Sequence, residues 1–304
     1  MSIFPIAFDK TFKLDLPSGH RFPMNKYKLL PEKIINSGTA LKIDFFKPTL
    51  PKKKDILITH EKKYLNKLLN LNLDKSEVRK IGFPLSSDLI KRELLIAGGT
   101  IQGAIKSIKY GVSMNIAGGT HHAFSNKGEG FCLLNDQAIA ANYLIKYKGI
   151  KRILIIDLDV HQGNGTAQIF NSEPNVFTFS MHGKKNYPFK KEKSDLDIEL
   201  EDNTSDVEYL NILKNILPRL INKFKPEFIF YLAGVDVIQT DKLGRLSLSI
   251  KGCEKRDEIV FSMCKKEKIP IQCSMGGGYS ENIDTIVDAH LNTFKIAKKI
   301  LYNY

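Results

Sequence analysis

The stretch ILIIDLDVHQGNG, residues 153–165, joins four consecutive apolar residues directly to two carboxylates and an imidazole. An uninterrupted apolar run of this length is typical of a β-strand that helices cover on both faces. Asp157, Asp159 and His161 follow at the carboxyl end of that strand, which is where open parallel sheets bind their ligands. The stretch therefore predicts both the architecture of the fold and the place of its chemistry.

Three other apolar runs end in polar residues in the same way. Their continuations are AGGTHH (117–122), AGVD (233–236) and SMGGGY (274–279). Because the carboxyl ends of parallel strands lie at one edge of a sheet, we expect these histidines, carboxylates and tyrosine to meet there.

Strand-like and helix-like segments alternate along the chain, which favours an α/β fold. The clearest strands are predicted over Ser113–Ala117, Ile153–Ile156, Val176–Phe179, Phe228–Leu232 and Ile269–Cys273. Helical periodicity covers Glu93–Ile108, a segment from the N-cap Asn135 through Tyr147, Asp206–Phe224, and 282–301. Since no linker divides the chain, we expect a single domain over residues 1–304, with a central, mostly parallel β-sheet flanked by helices on both faces. The first sixty or so residues are less regular and are expected to pack onto a sheet edge.

Composition places the chain among soluble globular proteins. Of its 304 residues, 42% are apolar and 26% are charged, and no run approaches the roughly 18 apolar residues that span a bilayer. The amino-terminal stretch lacks the features of a secretory signal, and the four cysteines (Cys132, Cys253, Cys264 and Cys273) lack CxxC spacing. These features exclude a membrane channel, a disulfide-rich scaffold and a zinc finger, and they predict a cytoplasmic protein.

The net charge is +13, from 46 lysines and arginines against 33 acidic residues. A basic surface can recruit nucleic acid, anionic membranes or acidic partners. Alternatively, the lysines are spread over solvated faces, and short runs such as Lys52–Lys54 agree with that interpretation. No nucleic-acid-binding motif accompanies these runs, so we do not expect nucleic acid as a partner.

Asp159, His161 and Asp236 form a candidate metal site. Residues two apart in an extended segment point the same way, so Asp159 and His161 can face one point, and Asp236 arrives from another strand. Three protein ligands with an open position are typical of catalytic zinc, although Fe(II), Co(II) and Mn(II) also accept oxygen and nitrogen ligands. The structural alternative makes Asp157 and Asp159 loop caps and His161 a hydrogen-bonded core histidine.

The adjacent histidines His121 and His122 suit proton transfer. Hydrolysis at a metal needs a base to take a proton from water and an acid to protonate the leaving amine, and two histidines with different partners can divide those roles. Tyr279 follows a triple-glycine turn and can donate a hydrogen bond to a developing oxyanion. A phosphate-binding loop is the alternative for that turn, but no Lys-Ser/Thr pair follows it.

These residues belong to a series of motifs that resembles the zinc-dependent histone deacetylases. The motifs are GGTHHA (118–123), GEGFCLLND (128–136), DLDVHQGNGT (157–166), FSMH (179–182), AGVDV followed by DKLGRLSLS (233–249), and GGGYS (276–280). HQGNG (161–165), KRDEIVF (255–261) and LPSGHRFPMNKY (16–27) are most similar to the class IV branch and its bacterial relatives. The resemblance implies an arginase/deacetylase-like fold and a lysine deacylase in which zinc-activated water removes acetyl groups. Similarity to class IV extends the expectation to long-chain fatty acyl groups.

The resemblance also implies a role for each matching residue. Asp159, His161 and Asp236 would bind Zn²⁺, with Fe²⁺ as an alternative. His121 and His122 would be the acid/base pair, Tyr279 would polarise the amide oxygen, and Asp157 would orient the first histidine. A structural K⁺ is expected near Asp157, Asp159, His161, Ser180 and Met181, and the substrate tunnel is expected along Gly130, Phe131, Cys132, Tyr187, Gly277 and Gly278.

Two departures from class I enzymes stand out. Asn164 occupies the place of the aspartate beside the second histidine, and a neutral amide stabilises an imidazolium less, so we expect a lower pKa for His122 than in that class. The acidic rim residue that holds the substrate backbone has no clear match within Phe83–Asp88.

Three rival functions stay open at this point. The same fold can act on acetylpolyamines or other small acylated amines, although a chain of net charge +13 repels polyamines at long range. A catalytically inactive nucleic-acid-binding relative is a second alternative, and the complete set of ligands and acid/base residues disfavours it. An arginase-like two-metal hydrolase would need more bridging carboxylates than these motifs supply.

Overall fold

Eight parallel strands form the central layer of the protein in a computed structural model that describes residues 3–302. The strands are β1 (Ile6–Ala7), β2 (Phe45–Phe46), β3 (Val112–Asn115), β4 (Ile153–Asp157), β5 (Val176–Gly183), β6 (Leu196–Leu200), β7 (Phe228–Leu232) and β8 (Ile271–Ser274). They are ordered β2-β1-β3-β8-β7-β4-β5-β6 in one sheet. The ends of the predicted domain, residues 1–2 and 303–304, lie outside the described residues.

The predicted strands are present, and the sheet is parallel throughout rather than mostly parallel. β3 ends at Asn115, two residues before the predicted Ala117, because the chain turns away toward Gly118, whose φ is +88°. Every residue of β3, β4, β7 and β8 is buried, as strands covered on both faces must be. β1 and β2 form one edge, so the first sixty residues do pack onto a sheet edge, whereas the strands within them and β6 were not predicted.

Ten α-helices surround the sheet within residues 3–302. They are α1 (Lys26–Asn36), α2 (Lys53–Ile56), α3 (Lys62–Leu69), α4 (Lys75–Ile81), α5 (Ser87–Tyr110), α6 (Asp136–Lys148), α7 (Asn164–Phe170), α8 (Asp206–Phe224), α9 (Ile250–Glu267) and α10 (Ile283–Tyr302), together with two short 3-10 helices at Lys10–Phe12 and Lys42–Asp44. α5 packs on α6, β3 and β8, while α9 packs between α8 and α10. No helix in this part of the chain is both long and apolar enough to cross a membrane.

Local capping explains two of the helix boundaries. The Asn135 side chain accepts a hydrogen bond from the backbone N–H of Ala138 (3.0 Å), which starts α6 where the sequence predicts it. The Ser86 side chain accepts from Leu89 N–H (3.1 Å), so α5 begins at Ser87 rather than at the predicted Glu93. The helix α9 was not predicted, because polar residues fill much of its length.

A buried ion pair on α9 anchors two loops at the carboxyl ends of the strands. The Arg256 side chain is fully buried, and its Nη2 lies 2.8 Å from Asp257 Oδ1. Its Nη1 donates to the backbone carbonyls of Leu158 (3.2 Å) and Gly234 (2.5 Å), which follow β4 and β7. Asp257 accepts in turn from the hydroxyls of Tyr231 and Thr293. One guanidinium therefore joins the two loops that carry the predicted metal ligands.

Replacing Arg256 with methionine should destabilise the fold strongly. The change leaves Asp257 buried without its cation and two carbonyls without a donor, which costs about 3–5 kcal/mol of unfolding free energy. Urea denaturation measures the loss. Lys251→Ala, which removes an exposed ion pair to Glu254 on the same helix, should change stability by less than about 1 kcal/mol. An Arg256→Met protein as stable as this control would contradict the anchoring role.

Candidate metal and catalytic site

Four neighbouring strands bring the predicted site residues to one edge of the sheet. β3, β8, β7 and β4 lie side by side, and their following loops carry the histidine pair, Tyr279, Asp236 and the 157–161 segment respectively. The same edge therefore receives every catalytic and metal-binding candidate that the sequence indicates.

Asp159, His161 and Asp236 form a compact buried group, with one potential ligand atom from each lying within 4.8 Å of the others. His161 Nδ1 is 3.0 Å from Asp159 Oδ1 and 3.2 Å from Asp236 Oδ2. Asp236 Oδ2 is buried without a hydrogen-bond partner of good geometry, so it has a free lone pair toward this group. Two carboxylates and one imidazole are a donor set that suits a divalent metal.

The carboxylates of Asp236 and Asp159 leave room only for glycine at position 277. A Cβ on this residue would stand 1.9 Å from Asp236 Oδ2 and 2.9 Å from Asp159 Oδ2. With no side chain in the way, the Gly277 N–H donates to Asp159 Oδ2 (2.8 Å). The Gly277 N–H thus holds the Asp159 carboxylate from one side. The two carboxylates and the imidazole fit the divalent metal that the histone deacetylase resemblance implies.

The two carboxylates of this group shift the pKa values of its members. Burial lowers the pKa of His161, but hydrogen bonds and charges from Asp159 and Asp236 outweigh burial and raise that pKa to about 10. Burial and the neighbouring Asp159 charge raise the pKa of Asp236. A divalent cation bound by these residues would relieve the repulsion between the two carboxylates.

The two adjacent histidines have different partners. His121 Nδ1 donates to Asp157 Oδ2 (2.7 Å), whereas His122 Nδ1 lies 2.7 Å from Asn164 Oδ1. Burial opposes the charged form of His121, yet the Asp157 and Asp159 charges raise its pKa. Burial, followed by the neighbouring His121 and His161, holds the pKa of His122 well below its ordinary value. Burial is the main cause of this shift, and the hydrogen bond to the Asn164 amide only partly offsets it. A lower pKa for His122 than in class I enzymes stays a prediction.

Glu129 is a site residue that the sequence reasoning missed. Its Oε1 accepts a hydrogen bond from the Asn164 side-chain amide Nδ2 (2.7 Å). Its position directly before Gly130 and Phe131 was the available signal. Asp136 was also missed: it accepts from the backbone N–H groups of Gly119 and Thr120 (both 2.9 Å) and so holds the loop before the histidine pair.

Tyr279 lies beside the metal-binding group, with its ring centroid 6.4 Å from that of His161. Its backbone N–H donates to Asp241 Oδ2 (2.6 Å), which fixes the turn after the glycines. Lys26, another residue that sequence reasoning missed, is completely buried with its Nζ 5.4 Å from the Tyr279 ring centroid. Burial lowers the pKa of Lys26 to about 8, although the charges of Asp236 and Asp159 oppose the shift.

Five of the six predicted tunnel residues line two adjacent cavities, and Gly130 and Phe131 line both. An outer cavity of about 410 Å³ is lined by Gly130, Phe131 and Tyr187 among others, and it reaches His122, His161 and Tyr279. A smaller inner cavity of about 40 Å³ is lined by Cys132 and Gly277 as well as by the histidines. Gly278 borders neither cavity and instead packs against Val235. Burial raises the pKa of Cys132 well above its ordinary value, which agrees with a wall residue rather than a reactive thiol.

The residues expected to bind K⁺ include Asp159 and His161 of the candidate metal group, together with residues at the ends of β4 and β5. Asp157 on β4 pairs with Ser180 on β5, and Met181 is the next residue of that strand. The Ser180 hydroxyl lies 2.9 Å from His182 Nδ1. The arrangement brings these residues together, and the ion remains a prediction.

Comparisons with known proteins agree with this geometry. The model of the histone deacetylase domain matches residues 20–294. An uncharacterized protein of Picosynechococcus sp. is 40% identical over 98% of this chain and 99% of its own length. Histone deacetylase 2 of Arabidopsis thaliana is 29% identical, with 94% of this chain and 76% of that protein covered.

Solved structures are similar as well. A crystal structure of an HDAC homologue complexed with SAHA matches with a TM-score of 0.83 and 26% identity, covering 99% of this chain and 89% of that one. An HDAC homologue from Aquifex aeolicus matches with a TM-score of 0.82 and 25% identity, covering 100% and 89%. Because the histone deacetylase domain model matches most of this chain, the chain belongs to the histone deacetylase family.

Proposed function

We propose that this protein is a zinc-dependent lysine deacylase that hydrolyses the amide of an acylated lysine side chain. Membership of the histone deacetylase family supports a metal-dependent deacetylase. The observation that carries the finer proposal is a single cavity lined by Asp159, His161, both histidines of the pair and Tyr279. Ligands, acid/base groups and a hydrogen-bond donor thus face one small space.

Zn²⁺ is the proposed ion, held by Asp159, His161 and Asp236, with Fe²⁺ as the alternative for the same donors. When bound, the ion supplies Lewis-acid chemistry for amide hydrolysis. K⁺ is proposed as a structural ion beside Asp157 and Ser180. Metal analysis of the purified protein distinguishes these ions.

The two adjacent histidines have different roles in this mechanism. The carboxylate of Asp157 favours the charged form of His121, whereas the neutral amide of Asn164 does much less for His122. His122 is therefore the group that accepts a proton from the attacking water and returns it to the leaving amine. His121 holds a positive charge beside the reacting centre. The Tyr279 hydroxyl donates to the amide oxygen as charge develops on it.

The inner cavity favours a short acyl group. Its volume of about 40 Å³ holds few atoms beyond the catalytic residues, since a single water needs about 10–15 Å³ on the same measure. An acetyl group fits such a space, whereas a fatty acyl chain needs the surrounding walls to open. Acetyl-lysine is accordingly the substrate we propose first, ahead of the long-chain substrates that similarity to class IV suggests.

Asp236→Ala should remove both bound metal and turnover. The substitution deletes one of three ligands and the buried Oδ2 that lacks another partner. Metal per chain, measured by plasma mass spectrometry after dialysis, should fall by at least tenfold, and deacylation should become undetectable. Asp15→Ala, which removes an exposed carboxylate, serves as the matched control and should keep both. Full activity of the Asp236→Ala protein without bound metal would refute the mechanism.

A panel of acyl-lysine peptides tests the acyl preference. We expect kcat/KM to fall from acetyl to octanoyl to myristoyl peptides, because the inner cavity must expand to admit each longer chain. The same assay with an acetylpolyamine tests the small-molecule alternative. Faster turnover of the myristoyl-lysine peptide than of the acetyl-lysine peptide would contradict the preference for a short acyl group and show that the inner cavity opens. Faster turnover of the acetylpolyamine than of any acyl-lysine peptide would contradict lysine as the substrate.

A further inference from the structure

The mouth of the outer cavity is lined by five basic side chains and by no carboxylate among the described residues. The basic residues are Arg21, Lys80, Lys185, Lys242 and Arg245. We propose that the preferred substrate presents its acylated lysine within an acidic peptide segment, whose carboxylates contact these five residues. The inference rests on the proposed deacylase function and names the substrate class that the entrance selects.

Neighbouring acidic residues compensate only part of this charge. Asp202 lies 3.0 Å from Arg245 and 3.7 Å from Lys185, and Glu281 lies 3.5 Å from Lys242. Two carboxylates thus serve three cations. Arg21 and Lys80, both exposed, have no ion pair within the part of the chain that the structure describes. The entrance therefore keeps a positive potential after its own ion pairs form.

The arrangement of the cations suits a peptide chain that crosses the entrance. The Arg21 guanidinium lies 4.9 Å from the Phe131 ring centroid, and the backbone carbonyl of Lys80 accepts a hydrogen bond from the Gly130 N–H. Both cations therefore lie beside the cavity wall that Gly130 and Phe131 form. The others come from the loops after β5 and β7. Charges placed on separate loops around an opening can meet carboxylates on both sides of an inserted lysine. A flat anionic surface could not follow that concave shape while an acyl-lysine reaches His122.

Peptides that differ only around the acetyl-lysine test this inference. Three are needed, with aspartates, serines or lysines at the two positions on each side. We expect kcat/KM to be about tenfold higher for the aspartate peptide than for the serine peptide and lowest for the lysine peptide in 50 mM salt. The differences should shrink in 500 mM salt, because salt screens exposed charges.

Two double variants separate the mouth from the overall charge. Arg21→Glu with Lys80→Glu should reduce the aspartate-to-serine ratio to about one. Lys295→Glu with Lys299→Glu makes the same change in net charge on α10, away from the mouth, and should preserve the ratio. An equal loss in both variants, or equal turnover of all three peptides by the unmodified protein, would overturn the inference.

Other outcomes also have a defined meaning. No turnover of any peptide would contradict the proposed function itself, and the inference would fall with it. Inhibition by single-stranded DNA or by phosphatidylserine vesicles at lower concentrations than by a non-acylated aspartate peptide would overturn the peptide proposal and assign the mouth to that polyanion.

A second inference comes from the hydrogen bonds behind His122. Asn164 lies between His122 and Glu129, with its Oδ1 toward the imidazole and its Nδ2 toward Glu129 Oε1 (both 2.7 Å). An asparagine amide can face a histidine with either its oxygen or its nitrogen. We infer that Glu129 is a positioning residue that selects the oxygen-facing orientation and thereby the tautomer of His122.

The direction of each hydrogen bond carries this inference. A carboxylate oxygen accepts hydrogen bonds, so Glu129 requires Asn164 to present Nδ2. Asn164 Oδ1 must then face His122, whose Nδ1 donates, and Nε2 is left with the free lone pair that a base needs. Lys127 Nζ, 3.5 Å from Glu129 Oε2, holds the carboxylate from its other side. With the amide reversed, Nδ1 would accept and Nε2 would carry the hydrogen.

Glu129→Gln tests the inference in two backgrounds. A glutamine can donate to Asn164 Oδ1, so the amide is free to reverse, and we expect kcat to fall about tenfold with KM unchanged. In the Asn164→Asp background both oxygens at position 164 can only accept, so the tautomer no longer depends on Glu129. There Glu129→Gln should leave kcat unchanged or raise it, because it also removes a repulsion between two carboxylates.

The ¹⁵N shifts of the His122 ring report its tautomer directly. The Glu129→Gln protein should show hydrogen at Nε2 in part of the population, and the unmodified protein should show it at Nδ1. Thermal unfolding midpoints of all variants control for folding. An equal loss of kcat in both backgrounds, or an unchanged tautomer in Glu129→Gln, would show a merely structural role and overturn the inference.

Discussion

The carboxylates of Asp159 and Asp236 lie side by side in the protein interior, and much of the surrounding structure offsets the cost of burying them. An unpaired buried carboxylate costs several kcal/mol. Here the N–H groups of Gly277 and Val160 donate to Asp159 and Asp236, and His161 lies between the two. Because these donors come from loops that follow different strands, the charges are satisfied only when the strands are correctly ordered. The stability of the sheet edge and the chemistry of the site therefore rest on the same contacts.

The central part of the fold could be predicted from local sequence, and its periphery could not. β4 and β7 are apolar runs long enough to be recognised as buried strands without knowledge of their neighbours. β1 and β2 have two residues each, and β6 alternates charged and apolar residues over a half-exposed stretch. Such short or polar segments become strands because a neighbouring strand offers hydrogen bonds, which a local pattern does not reveal.

The candidate site divides in the same way between local and distant information. The grouping of Asp159, His161 and Asp236 could be predicted, because Asp159 and His161 alternate along one segment and Asp236 follows a neighbouring strand. Glu129 contacts Asn164 across 35 positions of the chain, so its place before Gly130 and Phe131 was the one local signal for it. The sequence around Lys26 predicts an exposed lysine at the start of α1, yet its side chain is completely buried beside Tyr279. Side-chain contacts between remote loops, rather than motifs, decide these roles.

The position of β8 makes the order of synthesis matter. This strand is the last to emerge, yet it lies between β3 and β7 and joins the amino-terminal part of the sheet to the rest. Until it inserts, β3 and β7 have no strand between them, and the Gly277 N–H, which follows β8, cannot donate to Asp159 Oδ2. A ribosome-bound chain that has not yet produced β8 consequently lacks the Gly277 N–H and Tyr279, and the candidate site is complete only once β8 has closed the sheet.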